Sequence, residues 1–89
     1  MIRATITIIN KLGLHARASA KLTKLAGNFK SEVHMTRDER RVNAKSIMGV
    51  MMLAAGLGAE VDLEVSGADE QAAMDAITAL IRDKFGEAE

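Results

Sequence analysis

The sequence predicts an α+β fold: a four-stranded antiparallel sheet with three helices packed on one face, in the order βαββαβα. Two observations carry this reading. Each apolar run of strand length alternates with polar residues, so every strand keeps one wet face, as antiparallel sheets allow. Between and after these runs lie three segments with helical patterning or a helix-capping residue at their start.

Strand one spans Ile2 to Ile8, with Ile2, Ala4, Ile6 and Ile8 facing one way and Arg3, Thr5 and Thr7 the other. After Gly13 the period changes: Ala18, Leu22, Leu25 and Ala26 share one helical face, while Arg17, Lys21 and Lys24 lie on another. Gly27 is expected to end that helix in the left-handed conformation. Val33 and Met35 then alternate with Glu32, His34 and Thr36, and the polar turn Arg37-Asp38-Glu39-Arg40 leads into a short strand with Val42 and Ala44 inward. Ser46 is a natural N-cap for a second helix through roughly Ala54, whose core side is expected to be Val50, Leu53 and Ala54. Val61, Leu63 and Val65 form a fourth alternating strand. Asp69 to about Lys84 is a final helix, with Ala73, Ile77, Leu80, Ile81 and Phe85 as its buried stripe.

A chain of 89 residues suffices for one domain, residues 1–89, which buries only roughly 60–65% of the surface its unfolded chain exposes. With no cysteine, disulfides, thiolate metal sites and Cys catalysis are excluded. The longest apolar stretch, Ile47 to Ala59, falls short of the roughly 20 residues of a membrane span. No secretory leader opens the chain, so a cytoplasmic location is expected. Twelve basic residues balance twelve acidic ones, but they are segregated. Arg3, Lys11, Arg17, Lys21, Lys24 and Lys30 precede the first acid, Glu32, whereas from Glu60 onward nine acids face only Arg82 and Lys84. Such polarity can steer a partner of complementary charge.

The chemistry concentrates in Lys11-Leu12-Gly13-Leu14-His15-Ala16-Arg17, which places a histidine where a loop becomes a helix. The first N–H groups of a helix lack internal partners and its dipole is positive there, so an anion is favoured. A phosphate on a ring nitrogen of His15 would meet the amides of Ala16 and Arg17, and the Arg17 guanidinium adds a planar fork of donors. The same positive end is expected to keep the ring neutral and nucleophilic. His34 lies on the wet face of a strand and reads as a surface residue. The second helix is apolar nearly all round, which predicts an exposed patch of Ile47, Met48 and Met51, a composition suited to adaptable docking.

Gly13-Leu14-His15-Ala16-Arg17 together with Lys45-Ser46-Ile47-Met48-Gly49-Val50-Met51 resembles the histidine-containing phosphocarrier protein HPr family of the bacterial phosphotransferase system. The resemblance extends over the whole chain in length, element order and motif spacing. It implies an open-faced β-sandwich in which His15 accepts phosphate at Nδ1 from phosphorylated enzyme I and donates it to enzyme IIA components, with Arg17 neutralising the phosphate. It implies a docking surface of Ile47, Met48 and Met51 rimmed by Ala20, Lys21 and Lys24. In many relatives the serine matching Ser46 is phosphorylated by an ATP-dependent HPr kinase/phosphorylase; a phosphate of about −1.5 to −2 charges there would repel an acidic partner. Most relatives have proline at the position of Ala18, and its absence is expected to loosen the turn by up to about 1 kcal/mol. Nitrogen-related paralogues share the His15 motif and form the alternative branch.

Two other classes fit the sequence poorly. A nucleic-acid binder on this fold stacks bases on strand aromatics, but the only aromatics are Phe29 and Phe85, outside the strand centres. An autonomous hydrolase would need a nucleophile with an orienting group, and two histidines without a carboxylate at ligand spacing make no metal site. The expectation is a monomeric carrier, not an autonomous enzyme, with no cofactor and no direct membrane insertion.

Overall fold

The computed structural model describes all residues, 1–89. Its strands are β1 (Ile2–Thr7), β2 (Glu32–Arg37), β3 (Arg40–Asn43) and β4 (Glu60–Ser66); its α-helices are α1 (Ala16–Ala26), α2 (Ile47–Met52) and α3 (Glu70–Arg82). A 3-10 turn, Lys84–Gly86, follows α3. The strands form one antiparallel sheet in the order β1-β4-β2-β3. The last strand in sequence therefore lies inside the sheet, pairing Ala4 with Leu63 on one side and Met35 with Leu63 on the other.

The alternation has the predicted consequence. Val33 and Met35 of β2 and Val61, Leu63 and Val65 of β4 join Leu22, Ala26, Val50, Ala73, Ile77 and Ile81 of the helices in one core cluster. The three helices pack on this face and leave the other open. There Glu64, only 9% exposed, is flanked by Arg3 (Nη2 to Oε2, 3.3 Å) and Arg41 (Nε to Oε1, 3.5 Å), and the Thr5 hydroxyl donates to Asp62 at 2.7 Å. The open face is thus a polar surface, and no Phe, Tyr or Trp lies on it.

Four local expectations require correction. Gly27 stands at the end of α1 but in the right-handed region (φ −64°), its N–H still reaching the Thr23 carbonyl, so the termination does not use glycine's conformational freedom. Helix α2 stops at Met52, and Ala54, expected in the core, is exposed with φ +51°; the reversal there buries Ala55 instead. Ile8 is buried but lies one residue past β1, where its N–H bonds Ala59. Phe85 is buried, yet not on a helical stripe: α3 ends at Arg82, and Lys84 and Phe85 both have positive φ. The chain reverses after α3, and the large apolar side chain is carried into the core from the turn.

Candidate functional site

Residues 8–14, between β1 and α1, are seated on the loop that precedes β4. The Ile8 N–H donates to Ala59 O at 2.8 Å and the Leu14 N–H to Ala55 O at 2.9 Å. Between these anchors the chain makes a tight turn in which the Gly13 N–H reaches Asn10 O at 3.2 Å. Gly13 has φ +66°, and a Cβ there would stand 2.4 Å from Ala55 O. Both the left-handed conformation and the close backbone approach therefore demand glycine.

This turn delivers His15 as the N-cap of α1, in extended conformation (φ −73°, ψ 178°) and with no capping bond from its side chain. Its carbonyl accepts the first helical bond, from the Ser19 N–H at 2.9 Å. The amides of Ala16, Arg17 and Ala18 consequently have no acceptor within the chain, the ordinary condition of a helix start that nothing caps. Arg17 is exposed on the first turn. It shares with His15 a cleft of about 620 Å³, lined also by Lys11, Leu12, Lys21 and residues 86–89.

A carboxylate that the sequence reading did not anticipate stands against the ring. His15 Nε2 lies 2.6 Å from Glu87 Oε2, and the two side chains are 27% and 17% exposed. Buried Asn10 uses both hydrogens of its amide nitrogen, donating to Gly13 O at 2.9 Å and to Glu87 Oε1 at 3.0 Å. The Asn10 bond first, and the His15 bond second, hold the Glu87 carboxyl below the usual carboxylate range. An ionised carboxylate only accepts, so the hydrogen of the 2.6 Å contact belongs to Nε2, and the lone pair of a neutral ring is then on Nδ1. Expectation from the helix end alone thus omitted a group that favours a proton on the other ring nitrogen.

Glu87 is 72 positions from His15, so no local pattern pairs them. Two signals were nonetheless present in sequence: Asn three residues ahead of a glycine is a turn pattern, and Gly86 marks a chain reversal after α3. The reversal is held by buried Phe85 and by Lys21, whose Nζ donates to Phe85 O at 2.6 Å. Lys21, expected on the docking rim, is therefore engaged, while Ala20 and Lys24 are free on the exposed side of α1.

On α2, Ser46 is the N-cap and its Oγ accepts from the Gly49 N–H at 3.2 Å. Ile47, Met48 and Met51 are 43%, 71% and 40% exposed, and Met52 and Leu57, which the expected patch did not include, are exposed as well. His34 is half-buried on the open sheet face, paired across strands with Glu64 and Asn43, and the fold does not bring it to His15.

A family model described as the phosphorylation site of the HPr component of the phosphotransferase system matches residues 2–83. The phosphocarrier protein HPr of Cupriavidus necator is 68% identical over the full length of both chains. The phosphocarrier protein NPr of Shewanella violacea is 47% identical over 93% of this chain and 91% of its own. The crystal structure of HPr-C-His from Thermoanaerobacter tengcongensis superposes with a TM-score of 0.96 at 45% identity, covering all of both chains. A full-length match to such relatives, on a fold of the same architecture, shows that this chain belongs to the HPr phosphocarrier family of the phosphotransferase system.

Proposed function

We propose that His15 is the residue through which this carrier works, accepting phosphate at Nδ1 from phosphorylated enzyme I and donating it to enzyme IIA components. The observation that supports this most directly is the start of α1: a half-buried imidazole at the mouth of a cleft, beside amides with no acceptor in the chain. A phosphoryl group on Nδ1 places its oxygens at a positive helix end. The amides of Ala16 and Arg17 bind those oxygens, and the exposed Arg17 guanidinium adds charge that follows the group through transfer. Ala20, Lys21, Lys24, Ile47, Met48 and Met51 form the docking surface, and the exposed Lys21 also anchors the turn at Phe85. One surface serving donor and acceptor requires contacts that release quickly. The protein acts as a cytoplasmic monomer and turns over no substrate without its partners.

The test is incubation with phosphoenolpyruvate and enzyme I, followed by intact mass. One added phosphate, acid-labile and absent in His15→Ala, is expected; an acid-stable adduct, or none, contradicts the reading. The relative of 68% identity is named HPr, and on that name the sugar branch is preferred to the nitrogen branch. Transfer only to a nitrogen-branch IIA would reverse that preference.

Ser46 is the second modification site in this reading. Its hydroxyl is exposed and bonded only to Gly49 N–H, and its phosphorylation would add about −1.5 to −2 charges beside the docking patch. Purified HPr kinase/phosphorylase with ATP should add one acid-stable phosphate that Ser46→Ala abolishes. A wild-type chain left unmodified while the kinase phosphorylates a known HPr would count against it.

A further inference from the structure

We infer that Glu87 is a positioning residue for phosphoryl transfer: through the His15 Nε2–H it holds one tautomer and balances the charge of the phosphorylated ring. The inference rests on the reading of His15 as the carrier residue and extends it to a group that the motifs do not contain. The geometry has three parts. The 2.6 Å contact from Nε2 to Oε2 assigns the ring hydrogen to Nε2. The second carboxylate oxygen is held at 3.0 Å by Asn10, itself fully buried and bonded to the Gly13 carbonyl, so the carboxylate is aligned by the same turn that positions the ring. Left-handed backbone at Lys84, Phe85 and Gly86 (φ +56°, +58°, +78°) delivers Glu87, and burial of Phe85 together with the Lys21 bond to its carbonyl keeps that turn in place.

The chemistry follows from where the electrons go. In uptake, the Nδ1 lone pair forms a bond to phosphorus while the bond from phosphorus to the donor protein breaks, its electron pair staying with the donor. The ring now carries phosphate on Nδ1 and hydrogen on Nε2, and is a cation. Glu87, already an anion at 2.6 Å, compensates that charge without moving a proton. In donation the N–P pair returns to Nδ1 as the acceptor attacks, and the ring departs as neutral imidazole. A ring kept protonated on Nε2 is the better leaving group. The carboxylate thus does for a nucleophilic imidazole what a buried carboxylate does for the histidine of a catalytic triad: it fixes the tautomer and stabilises the cation.

Two measurements test this. In unmodified wild-type protein with 15N-labelled histidine, Nε2 of His15 should carry the hydrogen and Nδ1 should be the bare nitrogen; a bare Nε2 overturns the inference. In the phosphorylated protein at neutral pH, prepared with phosphoenolpyruvate and enzyme I, Glu87→Gln should lengthen the phosphohistidine half-life. It should also slow transfer to enzyme IIA, each about tenfold, the factor that one charged hydrogen bond supplies at the low end of its range. Unchanged circular dichroism of that variant separates the effect from unfolding, and Glu87→Ala should behave in the same direction. Half-lives within about twofold of wild type in both variants, a difference smaller than any charged hydrogen bond supplies, overturn the inference. A wild-type chain that takes up no phosphate would contradict the carrier reading instead, while the nitrogen spectrum of unmodified protein still decides the role of Glu87.

Discussion

At the start of α2, Ser46 turns its hydroxyl back onto the Gly49 N–H and closes the helix end on itself. At the start of α1, His15 has a similarly extended backbone but makes no capping bond; its ring reaches away to Glu87, and the first amides stay without acceptors. The α2 start gains the stability of a cap, about 1 kcal/mol. The α1 start forgoes it and keeps a positive site for an anion. A third solution stands at α3, where Asp69 does not cap its own helix but accepts from the Lys30 and Ser31 amides and the Ser31 hydroxyl, tying the start of β2 to the start of α3. The starts of α1 and α3 both lack a side-chain cap, and what sets α1 apart is the half-buried imidazole and exposed guanidinium beside its open amides.

The strongest challenge to this contrast is His15→Ser, which gives α1 the cap that α2 has. Phosphate uptake from enzyme I should vanish in an intact-mass assay, while thermal stability holds or rises by up to about 1 kcal/mol. Arg17→Ala should slow transfer by about 10²–10³, the effect of removing one preorganised donor from a developing anion, measured by rapid quench. Its stability should change by less than about 0.5 kcal/mol, since the side chain is exposed.

Gly13→Ala tests whether the turn beneath the open end is required. With φ +66° and a Cβ forced 2.4 Å from Ala55 O, it should lose about 1–3 kcal/mol in urea unfolding and impair uptake through a displaced ring. Ser46→Ala should cost about 0.5–2 kcal/mol and leave the His15 uptake rate intact, because only the self-closed end is changed.

The smallest expected effect concerns α3. Bonds from the Ser31 hydroxyl and then the Lys30 amide lower the Asp69 pKa from 3.8 to about 2. A carboxyl with a depressed folded-state pKa stabilises above its unfolded value and loses that contribution as pH falls through the folded one. Melting temperature should therefore fall between about pH 4 and pH 2, and Asp69→Asn should flatten the curve in that window.

How far the sequence was readable differs between elements and site. Strand alternation in β1, β2 and β4 and the stripe of Ala18, Leu22 and Ala26 were legible because burial on one face imposes a period on neighbouring residues. The position of His15 and Arg17 at a loop-to-helix junction was legible for the same local reason. Helix ends were less so: Gly27 terminates α1 without left-handed backbone, and Ala54 leaves the core, because turn geometry answers to what the next segment packs against. Lys21, placed on the docking rim by the family resemblance, is exposed and also donates to the Phe85 carbonyl, a contact that no charge pattern reveals.

By itself the sequence determined the order of elements, the apolar α2 surface and a histidine at the head of a helix, since each follows from residues within a few positions of one another. Tertiary structure decided that β4 lies between β1 and β2, and that Glu87 meets His15 across 72 positions. The second pairing depends on Phe85 entering the core and Asn10 bridging Gly13 to Glu87, contacts whose free energy exists only once distant segments are packed together.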